Sequence, residues 1–238
     1  MLSSTQEAQQ IKARVLHTIK HGLEFDLSTE QCKQFLKRHV NSNAVMVILI
    51  IDINGSTQMS ITLPPSKFAA ILQVFSQETR LAIIGHGGYI LKFVGDSVIG
   101  LFPAEFDKKK ACVNALNCAQ GVLSIISGCI NPVLKENHLP VINVRVGLDC
   151  GPSLVILYGR SVDTAPIDVV GPSISIASKI ASAAQLNQVL VGRSLYDIFE
   201  SDDSFNHRFV NVKLPNDKWN YVKPSSGNNY ELYSYQCI

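Results

Sequence analysis

Seven apolar residues in a row, Val45-Met-Val-Ile-Leu-Ile-Ile51, stop at Asp52 and give way to Asn54-Gly-Ser-Thr57. A run this short, this apolar and this rich in β-branched residues reads as a buried strand. Its end delivers a carboxylate to one place. A second segment, Tyr89–Phe102, reads as two strands joined by a two-residue Gly95-Asp96 turn, with Lys92 partway along the first strand. A lysine and an aspartate set in apolar sequence are costly to bury unpaired, so a charged ligand is the economical explanation of both. Two carboxylates at strand ends, with no base beside Asp52 in sequence, suggest a divalent cation site.

The order of elements follows from periodicity. Ile11, Val15 and Ile19 repeat at helical spacing until Gly22, and a second helix starts at Ser28, with Gln31 completing a capping-box pattern, and buries Cys32, Phe35 and Leu36. Residues 1–43 are therefore an accessory helical segment before a catalytic domain over 44–238. After the 45–51 strand comes a helix from Pro65 to about Ile84, with Phe68, Ile71, Leu72 and Phe75 as its buried stripe. A Gly85–Gly88 turn, the 89–102 hairpin, a long helix capped by Asp107 and a strand over Val141–Leu148 follow. That order, β-α-β-β-α-β, is the split arrangement of ferredoxin-like α+β folds. Further on, Ser153–Tyr158 is expected to pair back as a strand. A helix over Ser173–Ala184, a strand over Gln188–Val191 and a short helix over Ser194–Glu200 come next. A final hairpin joins His207–Lys213 to Tyr230–Tyr235.

Charge and cysteine usage narrow the function classes. The formal charge of +2 is spread along 238 residues, and Lys108-Lys-Lys110, the only basic run, reads as a solvated first helical turn, so no nucleic-acid partner is expected. Cys32, Cys112, Cys118, Cys129, Cys150 and Cys237 form no CxxC pair and read as small buried hydrophobes in a reducing compartment. With no signal-peptide pattern and no apolar run near the ~20 residues that span a bilayer, the expectation is a cytoplasmic protein without membrane contact. His17 and His21 stand at metal-compatible spacing but lack an evident third ligand, which favours a solvated helix face.

Three segments carry the chemistry. Asp52-Ile-Asn-Gly-Ser-Thr57 leaves a strand and opens towards a helix, where backbone N–H groups of Asn54, Gly55, Ser56 and Thr57 can hold phosphate oxygens beside Asp52. Lys92-Phe-Val-Gly-Asp96 adds a lysine and a second carboxylate. Asp168-Val-Val-Gly171 adds another aspartate before a helix that presents Ser175 and Lys179 at i and i+4, on one face. Together with Arg145-Val-Gly-Leu-Asp-Cys-Gly-Pro152, this set resembles the class III adenylyl and guanylyl cyclases over roughly residues 44–200. The matches are the family's DIxG(F/S)T, KxxGD, RxGxxxGP-hairpin and DxxGxxxNxASR motifs, in that order.

The resemblance implies a ferredoxin-like core with a C-terminal β-hairpin extension and N-terminal helices. It implies that Asp52, Asp96 and the Ile53 carbonyl hold two Mg²⁺ or Mn²⁺ ions. It implies cyclisation of a nucleoside triphosphate with loss of pyrophosphate at the interface of a head-to-tail homodimer. By the same resemblance Lys92 and Asp168 read the base, and this pair favours ATP over GTP. Three positions depart from the pattern: Ser175 stands for a ribose-orienting Asn, Lys179 for a transition-state Arg, and Pro172 for a residue that is commonly Asn. Lysine keeps the charge but loses the planar fork of donors. These departures leave room for a cyclase of another nucleotide, guanine or pyrimidine, or for a degenerate domain that binds nucleotide for regulation. Arg145 reads as structural.

Overall fold

The computed structural model describes residues 5–222 and 227–236. Cys237 lies outside the described residues. In chain order the elements are α1 (Thr5–His21), α2 (Glu30–Lys37), β1 (Asn43–Ile53), α3 (Ser56–Thr62), α4 (Pro65–Gly85), β2 (Tyr89–Val94), β3 (Ser97–Pro103) and α5 (Lys108–Ile125). A π-turn over Ile126–Ile130 leads from α5 into α6 (Asn131–Glu136). Then come β4 (Val144–Leu157), β5 (Ile167–Val170), α7 (Pro172–Ala183), β6 (Val189–Gly192), α8 (Arg193–Tyr196), β7 (Phe209–Val212) and β8 (Leu232–Tyr235).

Alternation along β1 builds two cores. Successive side chains of a strand point to opposite faces. Val47, Leu49, Ile51 and Ile53 enter one core with α1, α4 and α5, where Ile11, Phe75 and Leu116 are buried. Ala44, Met46, Ile48 and Ile50 enter a second core with Cys32, Phe35 and Leu36 of α2 and Ala177 and Ala181 of α7. The two accessory helices thus pack on opposite faces of one sheet. The helical run over 108–136 is apolar and long enough to cross a bilayer by length and composition. Its apolar side, including Ala115, Leu116, Ala119 and Val122, is buried in the first core.

The sheet runs β2-β3-β1-β4-β6-β8-β7, with β5 paired only to β4. The first four strands have the order of a ferredoxin-like core, as expected, and β7–β8 form the expected terminal hairpin. Four local expectations change. β1 extends beyond 45–51 in both directions and takes Asp52 into the ladder, opposite Ser97 on one side and Arg145 on the other. A separate short helix, α3, precedes α4. No turn divides Val144–Leu157: the stretch read as a hairpin with a returning strand is one long strand, residues 141–143 lie outside it, and β5 supplies the pairing over Leu154–Leu157. α2 begins at Glu30 with Thr29, not Ser28, at its N-cap, and the Ser28 hydroxyl accepts from Glu30 N at 3.1 Å rather than from Gln31. Asp107 caps α5 as expected, accepting from Lys110 N at 2.8 Å.

Candidate active site

Parity puts Asp52 on the second-core face of β1, in line with Met46, Ile48 and Ile50. There its Oδ2 lies 2.7 Å from Arg145 Nη2, and its Oδ1 accepts from the Ser97 hydroxyl. The hairpin places Asp96 beside it: Gly95 at φ 61° makes the tight turn, and Ile53 N donates to Asp96 O at 3.3 Å. Asn54 N donates to Asn143 O at 2.8 Å and so, against expectation, is not free to hold a phosphate oxygen, while Gly55 at φ 77° opens α3. The first-turn N–H groups of a helix have no intrahelical acceptor, so Ser56 and Thr57 present donors next to the two carboxylates.

Lys92 reaches the same face through an irregularity. The β2–β3 register slips between Ile90 and Lys92. Ile90 belongs to the first core, whereas Lys92 pairs with Ile99, which packs on the second. Without that bulge Lys92 would share the face of Ile90, under α4 and α5; bulges re-aim side chains in this way. Lys92 Nζ lies 2.9 and 2.7 Å from the two oxygens of Asp168, which also accepts from Val169 N at 2.8 Å. β2 is separated from β4 by β3 and β1, so this contact requires the far end of β4, with β5, to arch over the sheet face.

α7 completes the site. Gly147 and Gly151, the two glycines of the Arg145–Pro152 motif, lie where α7 presses on β4: a methyl on Gly147 would meet Ala181 N at 2.3 Å, and one on Gly151 would meet Ser173 Oγ at 2.5 Å. This close approach brings Ser175 and Lys179, both exposed, to a cleft of about 430 Å³ shared with Lys92, Ser97, Ile50, Ile99 and Ile174. A larger cavity, about 610 Å³, lies between α1, α4 and α5 and is lined by none of the candidate catalytic, substrate-binding or metal-binding residues. Its buried Glu78 is paired with Arg14 at 2.8 and 2.6 Å, which reads as a strut between helices. The smaller cleft is the one lined by candidate site residues, Lys92, Ser175 and Lys179.

The structure therefore sets Lys92 in contact with Asp168 and in one cleft with Ser175 and Lys179, and places Asp52 on the same sheet face, at the end of β1 where the Asp96 turn and the 54–57 loop begin. Both acidic positions with partners hold basic side chains, Arg145 on Asp52 and Lys92 on Asp168. The Lys92–Asp168 pair, with side chains 39% and 26% exposed, is of a kind typically worth ~0–1 kcal/mol, so a ligand can replace it cheaply. Oxygen donors alone, two carboxylates and a backbone carbonyl, suit a hard cation such as Mg²⁺, which also keeps waters and recruits substrate phosphates. Among the described residues no group of three His, Cys, Asp or Glu side chains assembles a metal cage.

Two contributions escaped the sequence reading. Arg145 was read as structural, yet it sits on the candidate metal ligand; its alternation with Val144 and Val146 was the available signal. Asp149, 3 % exposed, accepts the Tyr230 hydroxyl at 2.8 and 2.9 Å, and that hydroxyl lies 2.7 Å from Ser194 Oγ. Burial pushes the Asp149 carboxyl up to about 7, against the lowering effect of the Tyr230 hydrogen bond. This network ties the terminal hairpin to β4 and has no short-range sequence signature.

Residues 39–219 match the family described as "Adenylate and Guanylate cyclase catalytic domain". A cytidylate cyclase of Escherichia coli is 24% identical over 159 residues, covering 64% of this chain and 34% of its own length. An adenylate cyclase of Anabaena cylindrica is 27% identical over 173 residues, covering 71% and 34% respectively. The chain thus spans about a third of these relatives. Among solved structures, an adenylyl cyclase from P. aeruginosa superposes with a TM-score of 0.69 at 19% identity, covering 83% of this chain and 96% of that one. Fold, site and family match agree: the chain belongs to the adenylate and guanylate cyclase catalytic domain family and is a nucleotidyl cyclase domain.

Proposed function

We propose that the chain converts ATP to 3′,5′-cyclic AMP and pyrophosphate at sites shared between two copies. The observation that carries the base assignment is the Lys92–Asp168 pair, 2.7 Å apart at the cleft. Opened by a ligand, it offers one donor and one acceptor. Adenine presents the complementary edge, a ring nitrogen that accepts and an amino group that donates; guanine presents the reverse there. A buried group left unpaired costs ~1–3 kcal/mol, so the pair disfavours guanine.

Asp52, Asp96 and the Ile53 carbonyl would hold two Mg²⁺ or Mn²⁺ ions. When bound, such ions supply a lower pKa for the ribose 3′-hydroxyl and charge neutralisation on the triphosphate. The chain's own residues do the positioning. The α3 first turn holds phosphate oxygens, Ser175 orients the ribose by a hydrogen bond, and Lys179 places a positive charge near the α-phosphate as it gains negative charge. Two copies are needed because Lys92, Asp168, Ser175 and Lys179 of one would face Asp52 and Asp96 of the other. The unpaired, buried cysteines among the described residues support a cytoplasmic setting.

A second reading has a specific observation behind it. Cytosine also presents an amino donor beside a ring acceptor, so the Lys92–Asp168 pair accepts it as readily as adenine, and a cytidylate cyclase is among the relatives. The test is incubation of purified protein with each of the four NTPs and Mg²⁺ or Mn²⁺, with products identified by chromatography and mass. Cyclic AMP as the dominant product supports the first reading, and cyclic CMP the second. Dominant cyclic GMP or cyclic UMP refutes the base assignment. Nucleotide binding without turnover refutes the enzymatic proposal.

A further inference from the structure

Arg145 holds the carboxylate assigned to the cation. Its Nη2 is 2.7 Å from Asp52 Oδ2 and its Nη1 is 3.4 Å from Ser182 O at the end of α7. Its Nε is buried without a hydrogen-bond partner. Asp52 Oδ1 meanwhile accepts from the Ser97 hydroxyl. A carboxylate oxygen has two acceptor positions, so a neutral hydroxyl can stay when a cation arrives. A guanidinium cannot: at this distance, in a part-buried site, it and a divalent cation on the same carboxylate repel strongly.

We infer that Arg145 gates the cation site: it occupies Asp52 in the nucleotide-free chain, and Asp52 becomes a ligand only when Arg145 leaves it. Arg145's other tie, to Ser182 O at 3.4 Å, is long. Its side chain is 29% exposed, so it can swing out without unpacking β4. Cation binding and movement of Arg145 are then one equilibrium. The bare protein binds cations weakly, and whatever draws Arg145 off Asp52 raises cation affinity by the same factor that the cation raises affinity for it.

This inference rests on the assignment of Asp52 as a metal ligand, and the experiment separates the two. Mn²⁺ binding to nucleotide-free protein is followed by loss of the free-ion EPR signal, for wild type, Arg145→Gln, Lys109→Gln and Asp52→Asn. The expected result is at least tenfold tighter binding for Arg145→Gln and less than threefold change for Lys109→Gln, whose partner is Asp202, outside the cleft. Equal affinity for wild type and Arg145→Gln overturns the gate, as does equal tightening in Arg145→Gln and Lys109→Gln, which would reduce the effect to net charge. If Arg145→Gln fails to fold, Arg145→Lys carries the test: about threefold tightening supports the gate and wild-type affinity overturns it. Identical binding by wild type and Asp52→Asn overturns the metal assignment itself, and the gate with it.

Discussion

Replacing Gly147 by alanine should damage both stability and turnover through a single contact. The added methyl would lie 2.3 Å from Ala181 N, 2.6 Å from Ala177 O and 2.7 Å from Ala181 Cα. All three are backbone atoms of α7, so no side chain can rotate aside. Ordinary contact begins at 3.4 Å, so α7 must back away from β4 by about 1 Å, an overpacking that typically costs ~1–3 kcal/mol and here sits at the upper end. With a urea m-value of about 2–3 kcal/mol/M for a chain of this size, the midpoint should fall by roughly 1 M. Because α7 carries Ser175 and Lys179, a shift of that size should also cost on the order of 10² in rate. Trp219 is the only tryptophan, is buried, and donates to Tyr230 O at 2.6 Å, which makes its fluorescence a natural unfolding probe. Gly121→Ala in α5 is the matched control: its methyl meets nothing closer than His86 Cε1 at 3.7 Å. It should gain ~0.5–1 kcal/mol as a helix-interior Gly→Ala change. The reasoning is refuted if Gly147→Ala unfolds at the wild-type midpoint or keeps its rate within twofold.

The Asp149 carboxyl, raised to about 7 in the fold, keeps a proton that the unfolded chain loses near pH 4. Its contribution to stability is therefore full at acid pH and declines as pH rises from about 4 to about 7, by up to ~1.4 kcal/mol per pH unit. The stability difference between wild type and Asp149→Asn, from urea midpoints at pH 5 and pH 8, should favour wild type more at pH 5; a pH-independent difference contradicts this. Lys179→Ala should lower kcat far more than it raises KM, since its charge acts as the α-phosphate gains charge; unchanged steady-state kinetics would leave it a solvated side chain. Mixing Asp52→Ala with Lys92→Ala protein should restore part of the cyclase activity, because one of the two heterodimer sites then contains only wild-type residues. No recovery in verified heterodimers counts against shared sites.

Much of this architecture could be read from short-range pattern. The Val45–Ile51 run, the Gly95-Asp96 turn and the Asp107 cap of α5 are set by local periodicity, turn and capping chemistry, and they appear where expected. Motif order pointed to Lys92, Asp168, Ser175 and Lys179, which the structure sets around one cleft or in contact with its lining. What stayed hidden depends on contacts across the sheet. Glycines and a proline at 147, 151 and 152 suggest a turn, but here the glycines are spaces for α7, and β4 runs on through them. The slip between Ile90 and Lys92 has no signature in Tyr89–Val94, yet it decides which face the lysine serves. Arg145 looked like one polar residue in an alternating strand because its partner, Asp52, is supplied by the neighbouring β1.

Asp168 stands on a strand of four residues that pairs with one neighbour, through Leu154–Leu157, while Asp52 is clasped on both sides in the middle of the sheet. On the proposed assignment, a change on this outrigger alters which base fits without disturbing a ladder that other strands rely on. A change at Asp52 has no such freedom. On that assignment mutation rewrites the letter of the nucleotide at small structural cost while the cation end of the site stays put. One scaffold can then come to serve several messengers.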